Sequence, residues 1–418
     1  MTTLKILASA YACRPGKGSE PGIGWNLVRE LAKEHQVWVL TRENNRPAIE
    51  AELDAHPIPT LQFIYCDLPG WMQRLNRGQR LVQIHYYGWQ IVAYLTARKL
   101  HAEIDFSLAH HITYVKYWSP SFLSLLPIPF IWGPVGGGEF APKPFQVDFG
   151  WRGRLYELSR DIARWASELD PFVRMTARRS RIAQATTEDT AKRLRLLGAE
   201  AVQVQSQLGL SEAEITQLMQ HRPPSREDIR FISIGRLLHW KGFHLGLRAF
   251  AQADLPKQAE YWIVGEGPER KRLEALAETL GIAERVRFWG NLPRPNVLEK
   301  LGDCLALIHP SLHESGGLVC LEAMAAGRPV ICLDLGGPAL QVTEETGFKV
   351  AADVPEQAVQ RLAVAIARLA QDADLWTEMS QAGQLRVNQM FHWRIKGKLF
   401  TQLYKNVLEQ ACLTESIH

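Results

Sequence analysis

The sequence lacks several patterns that would define a function class at once. Its six cysteines are scattered without a CxxC pair, which argues against a disulfide framework and against a zinc site, and fits a reducing cytoplasm. No window approaches the roughly 18 consecutive apolar residues of a membrane span, and the first ten residues predict a β-strand rather than a signal peptide. There is no HExxH, GxSxG or GxxxxGK[ST] motif, so zinc proteolysis, serine hydrolysis and P-loop ATP hydrolysis lack support.

The chain also lacks a strong charge of one sign. Its 48 Lys and Arg residues against 44 Asp and Glu residues give a net charge of +4, too small to predict nucleic-acid binding by itself. With 46% hydrophobic and 22% charged residues, the composition is that of a folded globular protein, which excludes a disordered chain. The 418 residues are enough for two or three domains.

Short strand patterns and helix patterns of 10–15 residues alternate along the whole chain, which predicts parallel α/β sheets. The alternation begins with a strand at 4–10 and restarts near residue 202, where IRFISI (229–234) is a clear strand. We therefore expect an α/β protein with two doubly wound, Rossmann-like domains, residues 1–205 and 206–390, facing a central cleft.

The densest group of chemically informative residues is HPSLHESGGLVCLEAMAAGRPVI at 309–331. A strand ending at Ile308 is followed by a polar turn, by Gly316 and Gly317, and by a helix that begins near Leu318. Ligands of open α/β sheets bind at the carboxyl ends of the strands, and a glycine turn into a helix directs unpaired amides outward. This arrangement suits a phosphate or pyrophosphate, with Glu314 and Glu322 reaching different ends of one extended ligand.

A second group, SIGRLLHWKGF (233–243), places Arg236 just past a strand end and Lys241 just before a helix. A guanidinium and an ammonium at this position could hold a diphosphate leaving group without a metal ion. The glycines of VGEGP (264–268) lack the spacing of a dinucleotide fingerprint and are expected to shape the nucleotide pocket. Asp372 and Asp374 form a DxD triplet, which we interpret as helix capping rather than a metal site.

In the N-terminal half, GSEPGIGW (18–25) connects the first strand to the first helix, and Gly22 would let a ligand approach the backbone. The loop GPVGGGEF (133–140) follows a later strand in the same way. His110 and His111 are adjacent at a strand end, where either a structural role or a position facing the cleft is possible.

Taken together, Gly235-Arg236…Lys241-Gly242, Gly265-Glu-Gly-Pro268 and Glu314-Ser-Gly-Gly…Glu322-Ala-Met-Ala-Ala-Gly327 resemble the family-4 retaining glycosyltransferases of GT-B fold (glycosyl transferases group 1). GSEPGIGW is similar to the N-terminal glycine loop of that family. FHWRIKGKLFTQLYKNVL (391–408) is similar to its closing helix, so that 391–418 would cross back onto the N-terminal domain.

The resemblance implies a nucleotide-diphosphate sugar as donor, UDP-linked rather than GDP-linked by preference, and no cofactor or metal. Glu322 would bind the ribose hydroxyls, Arg236 and Lys241 the departing diphosphate, and Glu314 the sugar hydroxyls. Transfer to an acceptor hydroxyl would retain the anomeric configuration. The remaining residues assigned to donor binding are Gly22, Gly265, Asn291, Leu292, Gly316, Gly317, Leu318 and Val319.

One position departs from the family pattern. Many members carry a His in the loop after the strand that corresponds to IPFIW, and this chain has Gly133-Pro134 there. His110 and Glu139 are the candidates to take over its role, and His111 and Glu139 are expected on the acceptor side.

The acceptor is expected to bind the N-terminal domain. From Trp71 to Leu100 there are five basic residues, five Trp or Tyr residues and no acid, and 151–181 has eight arginines against four acids. Such segments favour an anionic membrane surface. We therefore expect a cytoplasmic enzyme, attached peripherally to the inner face of the membrane, with a lipid-linked glycan, a glycolipid or a polysaccharide precursor as acceptor. Ordinary helices with a basic solvated face are the alternative interpretation.

Three other functions remain open on the sequence. A nucleotide-sugar 2-epimerase has the same two-domain architecture but not the Arg-Lys and Glu-x7-Glu set. A non-catalytic subunit that binds a sugar nucleotide would not need the motif intact. A nucleic-acid binder would use the basic stretches, and its binding would weaken steeply with salt.

Overall fold

The computed structural model describes residues 3–70, 82–221, 223–224 and 228–415. The chain forms two compact units, each assembled from separate segments. Unit 1 consists of Met1–Gly138, Arg160–Gln207 and Trp393–His418, and unit 2 consists of Glu139–Ser159 and Leu208–His392.

Unit 1 is built on a parallel sheet of seven strands in the described residues, in the order β3-β2-β1-β4-β5-β6-β7. The strands are β1 (Lys5–Ala10), β2 (Gln36–Thr41), β3 (Leu61–Tyr65), β4 (Leu108–Thr113), β5 (Phe130–Val135), β6 (Ile182–Ala185) and β7 (Val202–Val204). The first helices of the chain are α1 (Ser19–Leu31), α2 (Arg46–Ala55), α3 (Val82–Ile104), α4 (Trp151–Glu168), α5 (Pro171–Arg179) and α6 (Glu188–Leu196).

Parallel strands covered on both faces are nearly continuous apolar runs. β1 follows this rule, since every residue after Lys5 is buried, and β4 and β5 are buried throughout. The initial part of the basic aromatic stretch, with Trp71, Arg74, Arg77 and Arg80, lies outside the described residues. Within the described part of the chain, no helix is both long enough and apolar enough to cross a membrane.

Unit 2 has a second parallel sheet, six-stranded in the described residues, with the order β10-β9-β8-β11-β12-β13. Its strands are β8 (Arg230–Ile234), β9 (Glu260–Val264), β10 (Val286–Gly290), β11 (Ala306–His309), β12 (Val330–Leu333) and β13 (Gly347–Val350). The helices that follow α6 are α7 (Glu212–Met219), α8 (Phe243–Gln252), α9 (Arg270–Thr279), α10 (Arg294–Gly302), α11 (Leu318–Ala325), α12 (Gly336–Gln341), α13 (Pro355–Gln371), α14 (Ala373–Arg386) and α15 (Trp393–Glu415).

The segment 139–159 is placed differently from the sequence expectation, which includes it in the N-terminal domain. Phe145 and Phe149 belong to the buried core of unit 2, together with Leu237 and Phe243. The hydrophobic gain from burying these two aromatic rings explains why the chain joins unit 2 before it returns to unit 1.

The C-terminal α-helices are separated by short breaks, and the first break contains Asp372 of the DxD triplet. The described residues from 355 onward form three α-helices, of which α15 is the last, since α13 ends at Gln371 and α14 begins at Ala373. Asp372 lies between them and accepts a hydrogen bond from the amide of Leu375 at 2.9 Å, which confirms that the DxD triplet begins with a helix cap. α15 packs against α1 in unit 1.

Gly242 fixes the approach of two loops at one edge of the second sheet. It has φ +67° and precedes α8, and a Cβ placed on it would lie 1.9 Å from the carbonyl oxygen of Pro310. Gly281 has nearly the same φ, +68°, but a Cβ there would have no atom within 4 Å. Only glycine can therefore occupy position 242 without moving the loop that carries Pro310.

We predict that Gly242→Ala destabilises the protein much more than Gly281→Ala. The control, Gly281→Ala, should lower the free energy of unfolding by about 1–2 kcal/mol, because alanine disfavours a left-handed backbone. The clash at 242 should add about 2 kcal/mol or more, since a backbone oxygen cannot move aside easily. Urea unfolding followed by circular dichroism measures both variants, and equal midpoints would contradict the close approach.

Candidate functional site

The candidate site lies in unit 2, at the carboxyl ends of β8, β9, β10 and β11. The loops after these strands carry the residues singled out from the sequence: Arg236 and Lys241 after β8, Gly265 after β9, Asn291 and Leu292 after β10, and Glu314 to Gly317 after β11. This is the edge of an open parallel sheet at which ligands bind.

Glu314 and Lys241 form the central ion pair of the site. The Lys241 Nζ donates to Glu314 Oε2 at 2.6 Å, and 17% and 20% of the two side chains are exposed. His309, at the end of β11, places its Nε2 2.9 Å from the same oxygen. One carboxylate is thus held between an ammonium and an imidazole.

The electrostatic balance keeps Glu314 ionised. Burial alone would raise the pKa of Glu314, but the Lys241 ammonium and His309 outweigh it and hold the pKa well below its ordinary value. The Glu314 side chain is therefore ionised at neutral pH and is a hydrogen-bond acceptor, suited to sugar hydroxyls.

The turn after Glu314 leads directly into α11. Gly317 has φ +92° and is the N-cap residue, so the helix begins at Leu318. The first amides of an α-helix have no partner within the helix, and here they belong to Leu318 and Val319. The turn therefore presents backbone donors and the positive end of a helix dipole next to Glu314 and Lys241.

A neighbouring backbone segment supports this turn. The amide of Gly337 donates to the carbonyl of Glu314 at 2.7 Å, and the Gln341 side chain donates to the carbonyl of Gly316 at 2.8 Å. A Cβ on Gly337 would lie 2.4 Å from the carbonyl oxygens of Ser315 and Gly316. The backbone of α12 thus fixes the turn from behind.

Glu322, four residues into α11, is 5% exposed. Burial raises its pKa, and Arg294 opposes this shift, with its Nη1 2.7 Å from Glu322 Oε1. Arg294 is itself half exposed. The pair thus holds the Glu322 carboxylate within α11, eight residues after Glu314 in sequence.

Arg236 and Gly265 occupy neighbouring loops with different roles. Arg236 is exposed and takes part in no ion pair that the described residues show. A Cβ on Gly265 would lie 2.0 Å from the carbonyl oxygen of Gly235, so this glycine lets the β9 loop pack against the loop of Arg236. Asn291 is exposed and Leu292 is half-buried directly after β10.

Glu139 lies in unit 2 rather than on the acceptor side of unit 1, where the sequence analysis places it. It is 2% exposed, and the Ser315 hydroxyl donates to its Oε2 at 2.5 Å. Glu139 therefore contacts the same turn that carries Glu314, although 176 residues separate it from Ser315.

His110 and His111 lie within β4 and are fully buried, which differs from the roles in catalysis and acceptor binding expected for them. His110 Nδ1 lies 2.6 Å from the Tyr404 hydroxyl and its Nε2 lies 2.6 Å from the Gly133 carbonyl oxygen. His111 Nε2 lies 3.0 Å from the Tyr86 hydroxyl. Burial lowers their pKa values to about 4 and about 3. Both side chains are neutral core residues of unit 1 at neutral pH.

Gly22 lies in the first turn of α1, and its missing side chain serves the chain itself. A Cβ on Gly22 would lie 2.0 Å from the Lys17 carbonyl oxygen. Its own carbonyl accepts a hydrogen bond from Asn26 at 3.0 Å. The requirement for glycine at this position comes from the turn at 14–18.

Unit 1 contains a cavity of about 470 Å³ that the sequence analysis does not identify. Tyr11, Arg42 and Tyr114, which follow β1, β2 and β4 directly, line it together with Arg14 and Lys17. The Arg42 guanidinium lies 4.8 Å from the centre of the Tyr11 ring. Arg42, a cation placed directly after a strand end, is the sequence signal that would have revealed this cavity.

A buried network around Glu157 is likewise not identified from the sequence. Its Oε1 lies 3.0 Å from His239 Nε2 and 3.2 Å from His313 Nε2. His239 and His313 flank Lys241 and Glu314 in sequence, so the network positions both loops of the site. In the described part of the chain, no group of three or more His, Cys, Asp or Glu side chains has the arrangement of a metal site.

Residues 215–386 match the family model described as glycosyl transferases group 1. The chain is 30% identical over 206 residues to the lipopolysaccharide core biosynthesis glycosyltransferase LpsD of Rhizobium meliloti, which covers 48% of this chain and 57% of LpsD. It is 35% identical over 105 residues to the 2-deoxystreptamine glucosyltransferase of Streptomyces kanamyceticus, and this match covers 25% of this chain and 27% of that protein. The chain thus spans less than two thirds of the curated relatives it matches.

Solved structures match over nearly the whole length. Sucrose-phosphate synthase from Thermosynechococcus elongatus has a TM-score of 0.62 at 18% identity, covering 97% of this chain and 100% of that chain. HepE of Anabaena, in complex with UDP and glucose, has a TM-score of 0.56 at 19% identity, and the match covers 96% of this chain and 100% of HepE. These similarities confirm the expected fold, GT-B, with two Rossmann-like parallel-sheet domains. Residues 215–386, in unit 2, are therefore the part of the chain that is similar to the glycosyl transferases group 1 family.

Proposed function

We propose that the protein is a glycosyltransferase that moves a sugar from a nucleotide-diphosphate sugar to a hydroxyl group of an acceptor. The observation that carries this proposal is the Lys241–Glu314–His309 cluster, which keeps one carboxylate ionised at the start of the turn into α11. Curated relatives of the chain are named glycosyltransferases, which supports the same conclusion.

The donor diphosphate would lie against the first amides of α11, with Arg236 and Lys241 supplying positive charge. An ammonium has three donor hydrogens, so Lys241 can keep its bond to Glu314 and still donate to a phosphate oxygen. The charge that develops on the departing diphosphate is then stabilised by groups already in place, which is the main electrostatic source of catalysis. We propose that this occurs without a divalent metal ion.

The two acids would position the remaining parts of the donor. Glu314 would accept hydrogen bonds from the sugar hydroxyls, and the buried Glu322 would accept them from the ribose. With the sugar and the diphosphate held on the same side, the acceptor hydroxyl would attack from the face that the diphosphate leaves, which retains the anomeric configuration. A UDP-sugar is our preferred donor because HepE, which has the same fold, binds UDP, and a GDP-sugar is the alternative.

The acceptor would bind the cavity of unit 1. Its tyrosine rings can stack on a sugar, and Arg14, Lys17 and Arg42 favour an acceptor that carries an anionic group. A phosphate-bearing glycan, such as one linked to a lipid through phosphate, combines both features. This chemistry agrees with a lipid-linked acceptor at the cytoplasmic face of a membrane.

A nucleotide-sugar 2-epimerase and a non-catalytic subunit are the competing functions. An epimerase would invert one carbon of the sugar in its nucleotide sugar and would need no acceptor. A non-catalytic subunit would bind the donor and leave it intact. The ionised Glu314, with Lys241 in contact, favours transfer over both.

We predict that one class of nucleotide sugar raises the thermal unfolding temperature of the protein. A ligand at 100 times its dissociation constant adds about 2.7 kcal/mol to the free energy of unfolding. A panel of UDP-, GDP- and ADP-sugars, measured by differential scanning fluorimetry, identifies the base. Glu322→Gln should abolish the shift, and absence of a shift with every donor would overturn the proposed function.

We predict that Lys241→Gln and Glu314→Gln each reduce donor turnover at least tenfold, because each removes a charged contact of about 1.5–3 kcal/mol with the reacting donor. Release of free nucleotide measures turnover, with EDTA present throughout.

The matched control is the exposed pair Arg361–Asp353 of unit 2, 2.9 Å apart. Arg361→Gln and Asp353→Asn should leave turnover unchanged, because exposed pairs contribute little. Near-normal rates in both site variants would refute the assignment, and activity that EDTA abolishes and Mg²⁺ restores would refute transfer without a metal.

We predict that Arg42→Gln raises the KM for an anionic acceptor at least tenfold and leaves the KM for the donor unchanged, because Arg42 lines the cavity of unit 1. Arg46→Gln is the control, since Arg46 pairs with Glu43 at 2.9 Å on the surface of α2. Steady-state kinetics with the acceptor identified by the donor-dependent assay gives both constants. An equal effect of the two substitutions would argue against the cavity as the acceptor site.

A further inference from the structure

The C-terminal half of α4 and the start of α5 expose apolar side chains and bury charged ones. Ile162, Trp165, Leu169 and Phe172 are each between 47% and 65% exposed. On the opposite side, Arg164 is 6% exposed and donates to the carbonyl of Gly137, and Glu168 pairs with Arg193 at 3.0 Å. A surface helix normally shows its polar side to solvent, so this segment is reversed.

These exposed apolar residues of unit 1 form a stripe. Ile162, Trp165 and Leu169 recur every three or four residues and so lie on one face of α4, with Leu169 directly after its last residue. The exposure is therefore a property of a helix face rather than of scattered single residues.

Helix α3 has a similar exposed stripe. Ile84, Ile91 and Leu95 are 45–65% exposed at helical spacing, and Arg98 and Lys99, one turn further on, are exposed as well. The apolar stripe of α3 thus ends in two cations.

The two stripes are neighbours within unit 1. Tyr87, on the stripe of α3, donates through its hydroxyl to Asp170 Oδ2 at 3.2 Å. Its ring lies 5.9 Å from that of Phe122, which lies 5.4 Å from the ring of Phe172. We call the exposed set of Ile84, Ile91, Leu95, Ile162, Trp165, Leu169 and Phe172 the apolar face of unit 1.

The charges beside the apolar face are mainly positive. Arg98 and Lys99 extend the stripe of α3, and both are exposed. Two nearby acids are engaged inside the protein, since Glu168 pairs with Arg193 and Asp170 caps α5. Asp161 is exposed and lies 3.8 Å from the Arg164 guanidinium.

We propose that the apolar face of unit 1 docks the protein on an anionic phospholipid surface. Apolar and Trp side chains enter the boundary between headgroups and acyl chains, and the flanking cations contact the headgroups. This inference goes beyond the proposed function and does not depend on it, because lipid binding needs neither donor nor acceptor.

A second copy of the chain fits the same face less well. A two-fold interface places one patch against itself, so it brings together the cations of both copies and adds no anionic partner for them. An anionic bilayer neutralises them instead. The charge pattern therefore favours lipid over self-association.

Vesicle co-sedimentation of the full-length protein tests the proposal. We expect binding to vesicles of phosphatidylcholine with 30% phosphatidylglycerol and at least tenfold weaker binding to phosphatidylcholine alone. Ile162→Ser combined with Trp165→Ser should weaken binding at least tenfold, and so should Arg98→Gln combined with Lys99→Gln. Ile, Trp and Ser have similar helix propensities, so α4 should persist in the first double variant.

Leu196→Ser and Leu385→Ser are the matched controls, because these leucines are 72% and 57% exposed elsewhere on the protein and should not affect binding. Circular dichroism and the thermal shift with the nucleotide sugar should be unchanged in every variant, which separates this test from that of the proposed function. Absence of binding to anionic vesicles would overturn the proposal. So would a dimer, detected by sedimentation equilibrium, that Ile162→Ser with Trp165→Ser dissociates.

Discussion

The ion pair between Lys241 and Glu314 is the interaction on which the candidate site depends. It joins the loop after β8 to the loop after β11, which are 73 residues apart in sequence. Burial raises the pKa of Glu314, and the Lys241 ammonium opposes this effect together with His309. The contact therefore helps to keep the carboxylate ionised and also positions the cation.

Backbone packing holds this pair in place. Gly242 lets the Lys241 loop approach Pro310, and Gly337 donates through its amide to the carbonyl of Glu314. Contacts between backbones leave little freedom, since no rotamer change can relieve them. The glycines in and around the motif thus act mainly as supports of the site, and Gly265 does the same for the loop of Arg236.

Local sequence rules predict the position of a residue in the fold best where it belongs to a contiguous motif at a strand end. Glu314, Gly317 and Glu322 follow one strand and enter one helix, so local rules suffice to place them. His110 was placed differently because its partner Tyr404 lies 294 residues away, and Glu139 because its contact with Ser315 spans 176. Local sequence patterns do not encode such long-range contacts. The position of 139–159 in unit 2 also depends on long-range contacts, those of Phe145 and Phe149 with the core of that unit.

The path of the chain between the two units has a consequence for engineering. Unit 2 is made of 139–159 and 208–392, and α15 returns to unit 1. Neither unit is a continuous stretch of sequence, so a fragment that ends at one boundary contains only part of the core of a unit. A chimera of two related proteins joined near residue 207 would take 139–159 from one parent and 208–392 from the other. The core of unit 2, to which Phe145 and Phe149 belong, would then be mismatched. A chimera that folds needs both segments from the same parent.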